Sequence, residues 1–199
     1  MNDVPAYEHI PGRYGVEIER TDSGTSTFVP LRPDLAAPDG SLRIAAVLMG
    51  IDMGAGITAG QAVLPGWTVT ADIETHLVGG CTVGPLRVDA RAIKPGRTMS
   101  VVECRVVDAG ADDELVALAT ANHGVLEPTF DDDLRGMTVG GRRVFTPPTD
   151  PDDSLESYFG VEVSADDLRI ELSERTRNPW GILHGGLTGL LIEQAAFLS

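Results

Sequence analysis

The run Asn178-Pro179-Trp180-Gly181-Ile182-Leu183-His184-Gly185-Gly186, with Glu193 nine residues past the histidine, holds the residue types best suited to chemistry. Two glycines at a helix start leave backbone N–H groups open, with no side chain in the way. The helix dipole adds positive character at the same place. Such a helix start can hold the oxygen of a polarised acyl carbonyl. Asn178 and His184 bring further polar groups close by. Glu193 cannot serve that carbonyl from its own helix, because nine residues span about 13.5 Å at ~1.5 Å per residue. The carboxylate must come from a second helix, and Asp52 is the candidate.

Asp52 qualifies because the chain repeats its own opening. FGVEVSADDLRIEL mirrors YGVEIERTDSGTSTFVPL, and NPWGILHGGLTGLLIEQAA mirrors APDGSLRIAAVLMGIDMGA. Placing Glu193 on Asp52 aligns Pro179 with Pro38, Gly181 with Gly40 and Leu183 with Leu42. The first copy has Ala37 for the Asn, Arg43 for the His and Ile44-Ala45 for Gly-Gly, and keeps only the acid. The halves look complementary. If they pair, as two repeats or across two subunits, one site combines Gly185 with Asp52 and the reciprocal site is dead.

The elements that must position these residues follow from hydrophobic period. Gly15 to Leu31 reads as two strands about the turn Thr21-Asp22-Ser23-Gly24. Ile44, Val47, Leu48, Ile51 and Ala55 make one apolar face of a helix from Ser41, its N-cap, to about Ala59. Four strands come next. In the first, Trp67, Val69, Ala71, Ile73 and Leu77 alternate with a wet face of Thr68, Thr70, Asp72, Glu74 and His76. In the second, Leu86, Val88, Ala90 and Ala92 alternate with Arg87, Asp89 and Arg91, before a turn at Lys94-Pro95-Gly96-Arg97. Met99–Val107 and a central apolar strand at Leu115–Leu126 complete an α+β fold with a mostly antiparallel sheet. The expected domains are 1–127, a linker rich in Pro and Asp at 128–157, and an incomplete second copy at 158–199. A helix with two short strands buries too little surface to stand alone, so this last segment should pack on the first domain or on a partner.

Composition narrows the functions. The chain has 199 residues, 42% of them hydrophobic, which suits a packed core rather than disorder. A net charge of −15 argues against nucleic acid or an anionic membrane as partner. The polar N-terminus carries no secretion signal, and no long uninterrupted apolar run suggests a membrane span. Cys81 and Cys104 sit in strand-like stretches and read as reduced thiols of a cytoplasmic protein. His76 and His123 read as structural or surface residues. No metal-ligand spacing, P-loop, dinucleotide fingerprint or Gly-x-Ser-x-Gly elbow is present.

With Asn178, His184, Gly185, Gly186 and Glu193 at this spacing, the sequence resembles the hotdog-fold acyl-CoA thioesterases, in particular the PaaI-like, type II 4-hydroxybenzoyl-CoA branch. The resemblance covers Gly15–Leu126 as a full hotdog domain and Gly160–Ser199 as the start of another. It implies Gly185 as oxyanion donor, Asn178 and His184 as supports, Gly186 beside them, and Asp52 or Glu193 as the acid. It implies hydrolysis of a small or aromatic acyl-CoA, with CoA as part of the substrate and no separate cofactor, in a homodimer or larger. Arg87, Arg91, Lys94 and Arg97 are the candidates for the CoA phosphates, with Arg142-Arg143 as a further pair. Two alternatives stand beside this reading. A non-catalytic acyl-CoA or acyl-carrier-protein binder fits the degenerate first copy. A hydratase pattern, Asp-x-Asn-Pro-x-His, is met only at Asn178-Pro179, with Thr176 and Gly181 where the proton-handling groups belong.

Overall fold

The protein is seen here in a computed structural model that describes residues 9–21, 23–127, 141–146, 153–164 and 167–198. The order is α1 (His9–Tyr14), β1 (Glu17–Thr21), β2 (Gly24–Val29), α2 (Ile44–Ala62), β3 (Trp67–Leu77), β4 (Leu86–Lys94), β5 (Met99–Asp108), β6 (Glu114–Leu126), β7 (Arg142–Val144), α3 (Leu155–Phe159), β8 (Val161–Val163), β9 (Leu168–Ile170) and α4 (Gly185–Leu198). Seven strands form one antiparallel sheet in the order β3-β6-β5-β4-β2-β1-β7, wrapped around α2. This is the α+β hotdog architecture. β8 and β9 form a separate hairpin.

Small residues let the sheet close on the helix. Ala90, Ala117, Ala119 and Ala121 face inward. Across from them, a Cβ added at Gly50 would meet Val29 and Val88 at 3.1 and 3.2 Å. By length and apolarity α2 could cross a bilayer, but here most of it lies inside the sheet.

Several expectations need correction. α2 begins at Ile44 rather than Ser41, and its N-cap position is Arg43, with no side-chain cap. A carboxylate from another element, Glu193, takes the place of the cap. In β3 the register slips between Thr70 and Asp72, leaving Ala71 as the extra residue of a bulge. The bulge breaks the period of two, so Thr68 and Thr70 turn inward instead of lying on the wet face. Cys81 lies in the loop before β4, not in a strand, and both thiols are free and buried. The expected linker contains β7, which pairs with the edge strand β1, and α3; most of the remaining linker lies outside the described residues. Its Pro and Asp content hid a strand too short to show a period.

The two stretches aligned in the sequence share local backbone features. Ala36 bridges Leu42 as Arg177 bridges Leu183. The Ala37 N–H bonds the Ser41 carbonyl at 2.7 Å, and Asn178 does the same with Ile182 at 2.8 Å. Gly40 and Gly181 turn both loops at φ +85° and +78°, a conformation that favours glycine. α1 and α3 each end in a left-handed glycine, Gly15 and Gly160, and the residues just before, Tyr14 and Phe159, stack at 6.1 Å.

α4 packs antiparallel along α2, bringing Gly185 to Asp52, Gly186 to Met49 and Gly189 to Leu48. At the far end Glu193 bonds the Arg43 guanidinium, which also binds Glu156. The Ala45 N–H donates to Glu193 Oε1 at 3.2 Å. Arg43 is 15% exposed and Glu193 9%. Removing the arginine strands two carboxylates in a partly dry site. Arg43→Met should therefore cost about 2–3 kcal/mol in urea unfolding, somewhat below a fully buried pair broken from one side. An unchanged midpoint would mean that the network contributes nothing.

Candidate functional site

Asp52, in the middle of α2, is 7% exposed. Its Oδ1 accepts a 2.9 Å hydrogen bond from the Thr70 hydroxyl, which the β3 bulge has turned inward. Its carboxylate lies so close to the start of α4 that a Cβ at Gly185 would stand 2.5 Å from Oδ1. Any larger residue there would push the carboxylate aside. The Gly185 N–H has no partner among the described residues, so one donor of the helix start stays open beside a carboxylate.

His184 is buried next to both. Its Nδ1 accepts the Gly186 N–H at 3.0 Å and lies 3.4 Å from Asp52 Oδ2. An Nδ1 that accepts cannot also donate to Asp52, so this geometry belongs to the neutral ring with its proton on Nε2. Burial favours the same state, lowering the pKa of His184 against the opposing pull of the Asp52 charge. Asn178 Oδ1 is taken up by the Trp180 and Ile182 N–H groups, which close the loop before α4. That leaves the Asn178 amide donors for the pocket.

These residues line one end of a cavity of about 140 Å³. The chain's two tryptophans, Trp67 and Trp180, meet edge to face at 5.8 Å in its wall. Ile18, Met53, Ile57, Val69 and Phe145 supply most of its remaining apolar surface. Arg20 and Arg143 also reach it. Burial and the neighbouring Arg143 charge both lower the pKa of Arg20, as expected where two cations share a site.

The structure therefore brings Asp52, Asn178, His184 and Gly185 together, with Gly186 just behind them. It takes Glu193 away, to the other helix start. It also places the expected phosphate ligands elsewhere. Arg87 pairs with Asp89 and Asp113, and Arg91 with Glu103. Lys94 and Arg97 lie at and beyond the end of β4, and none of the four lines the cavity. A wet strand face in an acidic chain finds acidic partners first. Of the basic pairs named from sequence, only Arg143 arrives at the cavity. His76 is exposed near Glu74, whereas His123 is buried and lines the cavity. Thr70, Trp67, Trp180 and Arg20 were missed. The bulge that aims Thr70 leaves no mark in a single sequence, though the presence of two tryptophans in so aromatic-poor a chain was a usable signal. Among the described residues, no three His, Cys, Asp or Glu side chains gather as a metal-binding set.

The buried histidines set a pH dependence. Burial pulls His184 and His123 below the ordinary value near 6.5, while the Asp52 charge raises both. With the folded pKa lower, the unfolded chain binds more protons. Stability is then full above about pH 6.5 and drains as pH falls, by at most ~1.4 kcal/mol per unit for each ring. The carboxylates with lowered pKa, Asp34, Asp39, Asp108 and Glu156, start from 3.8, 3.8, 3.8 and 4.5 and act at lower pH. Urea midpoints should therefore fall between pH 7 and 5.5. A flat profile over that window would show that the folded state holds the rings charged.

No family model and no curated protein matches the chain. Solved structures do. A thioesterase of Haemophilus influenzae superposes with a TM-score of 0.56 at 14% identity, covering 61% of this chain and 85% of its own. A conserved protein of Pseudomonas aeruginosa gives 0.54 at 22%, covering 61% of this chain and 100% of its own. A thioesterase variant from the same organism gives 0.53 at 22%, covering 57% and 83%. At these identities the likeness is one of fold, and it places the chain among hotdog structures.

Proposed function

We propose that the protein hydrolyses an acyl thioester, with CoA as the carrier, at one site built where two repeats of the same opening meet. One observation carries this reading: the Asp52 carboxylate of α2 stands against the unpartnered Gly185 N–H at the start of α4, at the end of an apolar cavity. Two structural neighbours are thioesterases, which fits the same chemistry.

The thioester oxygen accepts the Gly185 N–H, and the α4 dipole favours the charge that builds there. Asp52 then acts in one of two ways. It takes a proton from a water whose oxygen bonds the carbonyl carbon, or its own oxygen bonds that carbon to give an anhydride that water opens. In both, the C–S bond breaks and the thiolate leaves with the electron pair. A thiolate leaves easily, so no stronger base is needed. Thr70 holds Asp52 in place. Neutral His184 fixes the Gly186 N–H and so the first turn of α4. The acyl group lies along the tryptophan wall. Arg20 and Arg143 are the cations best placed for the anionic carrier.

The repeat supplies from one chain the two helices that the site needs. In the reciprocal half, Arg43 stands in the histidine's place, and Glu193 occupies the Ala45 N–H that matches Gly186. The Ile44 N–H that matches Gly185 is likewise without a partner among the described residues, so what sets this half apart is its acid: Glu193 is already spent on Arg43 and the Ala45 N–H.

CoA release from a panel of short, medium and aromatic acyl-CoAs tests the reading. Asp52→Asn should lower kcat about 10²–10⁴-fold in a chain with an unchanged circular dichroism spectrum. Gly185→Ala, whose methyl would displace the carboxylate, should lower it by about 10²-fold or more. Glu193→Gln should lose stability and keep turnover. Full activity in Asp52→Asn with a dead Glu193→Gln would reverse the assignment of the two halves.

A further inference from the structure

His123 is fully buried in β6, and neither ring nitrogen has a partner in hydrogen-bond geometry, although the Ala121 backbone lies near enough to weigh on its protonation. It faces inward in line with its direct neighbours, Thr70 on β3 and Ser100 on β5. Thr70 spends its hydroxyl on Asp52. The Ser100 hydroxyl is, like the His123 nitrogens, buried and unpartnered among the described residues. Each such group costs about 1–3 kcal/mol against an apolar replacement. The preceding inward positions of β6 are the alanines at 117, 119 and 121. A polar ring at the fourth is a cost that the fold alone does not require.

The ring borders the cavity. Opposite it, Gly56 on α2 leaves open space, where an added Cβ would find only His123 Nε2, at 4.0 Å. Gly56 lies one turn beyond Asp52, about 6 Å along the helix. An atom bonded to His123 therefore sits close to the reacting carbonyl, on the acyl side of it. Burial keeps the ring neutral, so it offers one donor and one acceptor. A hydroxyl matches both, and a keto oxygen matches the donor.

We infer that the cavity is built for acyl groups carrying a hydroxyl or keto oxygen near the thioester, which His123 recognises with Ser100 behind it. This inference rests on the thioester reading of the site. His123 sets specificity by binding the substituent, and it is not needed to explain the hydrolysis itself.

The test compares 3-hydroxybutanoyl-CoA with butanoyl-CoA, in kcat/KM and, separately, in calorimetric Kd. The wild-type chain should favour the hydroxy ester by about tenfold or more, the ratio that one hydrogen bond of about 1.4 kcal/mol produces. His123→Phe should bring the ratio close to one, and His123→Gln should keep part of it. Equal values for the two esters in the wild type, or a ratio untouched by His123→Phe, would overturn the inference and leave water as the ring's natural partner. If neither these esters nor any of the short, medium and aromatic panel is cleaved, the hydrolase reading fails. The Kd ratio and its loss in His123→Phe then decide the inference on binding alone. Should the phenylalanine variant not fold, the wild-type ratio and the glutamine variant carry the same decision.

Discussion

Everything at the site depends on how closely α4 can lie against α2. Three glycines set that distance. A Cβ at Gly185, Gly186 or Gly189 would come within 2.5–2.8 Å of Asp52, Met49 or Leu48. Backbone therefore meets side chain with no layer between them. This brings a carboxylate of one helix within reach of the N-terminal donors of the other. It also excludes most of the water that would otherwise screen the two. The same close approach puts Glu193 on the first turn of α2. The packing is reciprocal even though the chemistry is not.

The two helix starts differ in few residues. Both follow a loop with the same bridge, the same left-handed glycine and the same backbone bonds. In both, the first amide has no partner among the described residues; in one, a neutral histidine caps the second. In the other, an arginine draws the opposing carboxylate onto that second amide, and the ion pair fills the space. Arginine here bridges Glu193 and Glu156, so this half ties α2, α3 and α4 together.

Much of this was legible in the sequence, for identifiable reasons. The alternation of β4 is a strong periodic signal; α2 shows through its length and apolarity, since it is buried on most sides and Ile44 of the expected face is exposed. The internal repeat showed that two helices of the same kind had to meet. The length of α4 alone ruled out Glu193 as the partner of Gly185. What could not be read depends on register and on neighbours. The β3 bulge turns Thr70 inward without changing composition. His123 looks unremarkable in an apolar strand until its lack of partners is seen. Arg87 and Arg91 seemed available for phosphates because their partners, Asp113 and Glu103, lie on other strands or turns. β7 is three residues long and hidden among prolines and aspartates.

Carrying both helices on one polypeptide alters the order of the assembly reaction. Where two separate chains each supply half of a site, the fraction assembled falls on dilution. Here α2 and α4 belong to one chain, so their meeting is intramolecular. Site formation becomes first-order and insensitive to how much protein is present. The two halves also never exchange roles, so each is free to drift in its own direction.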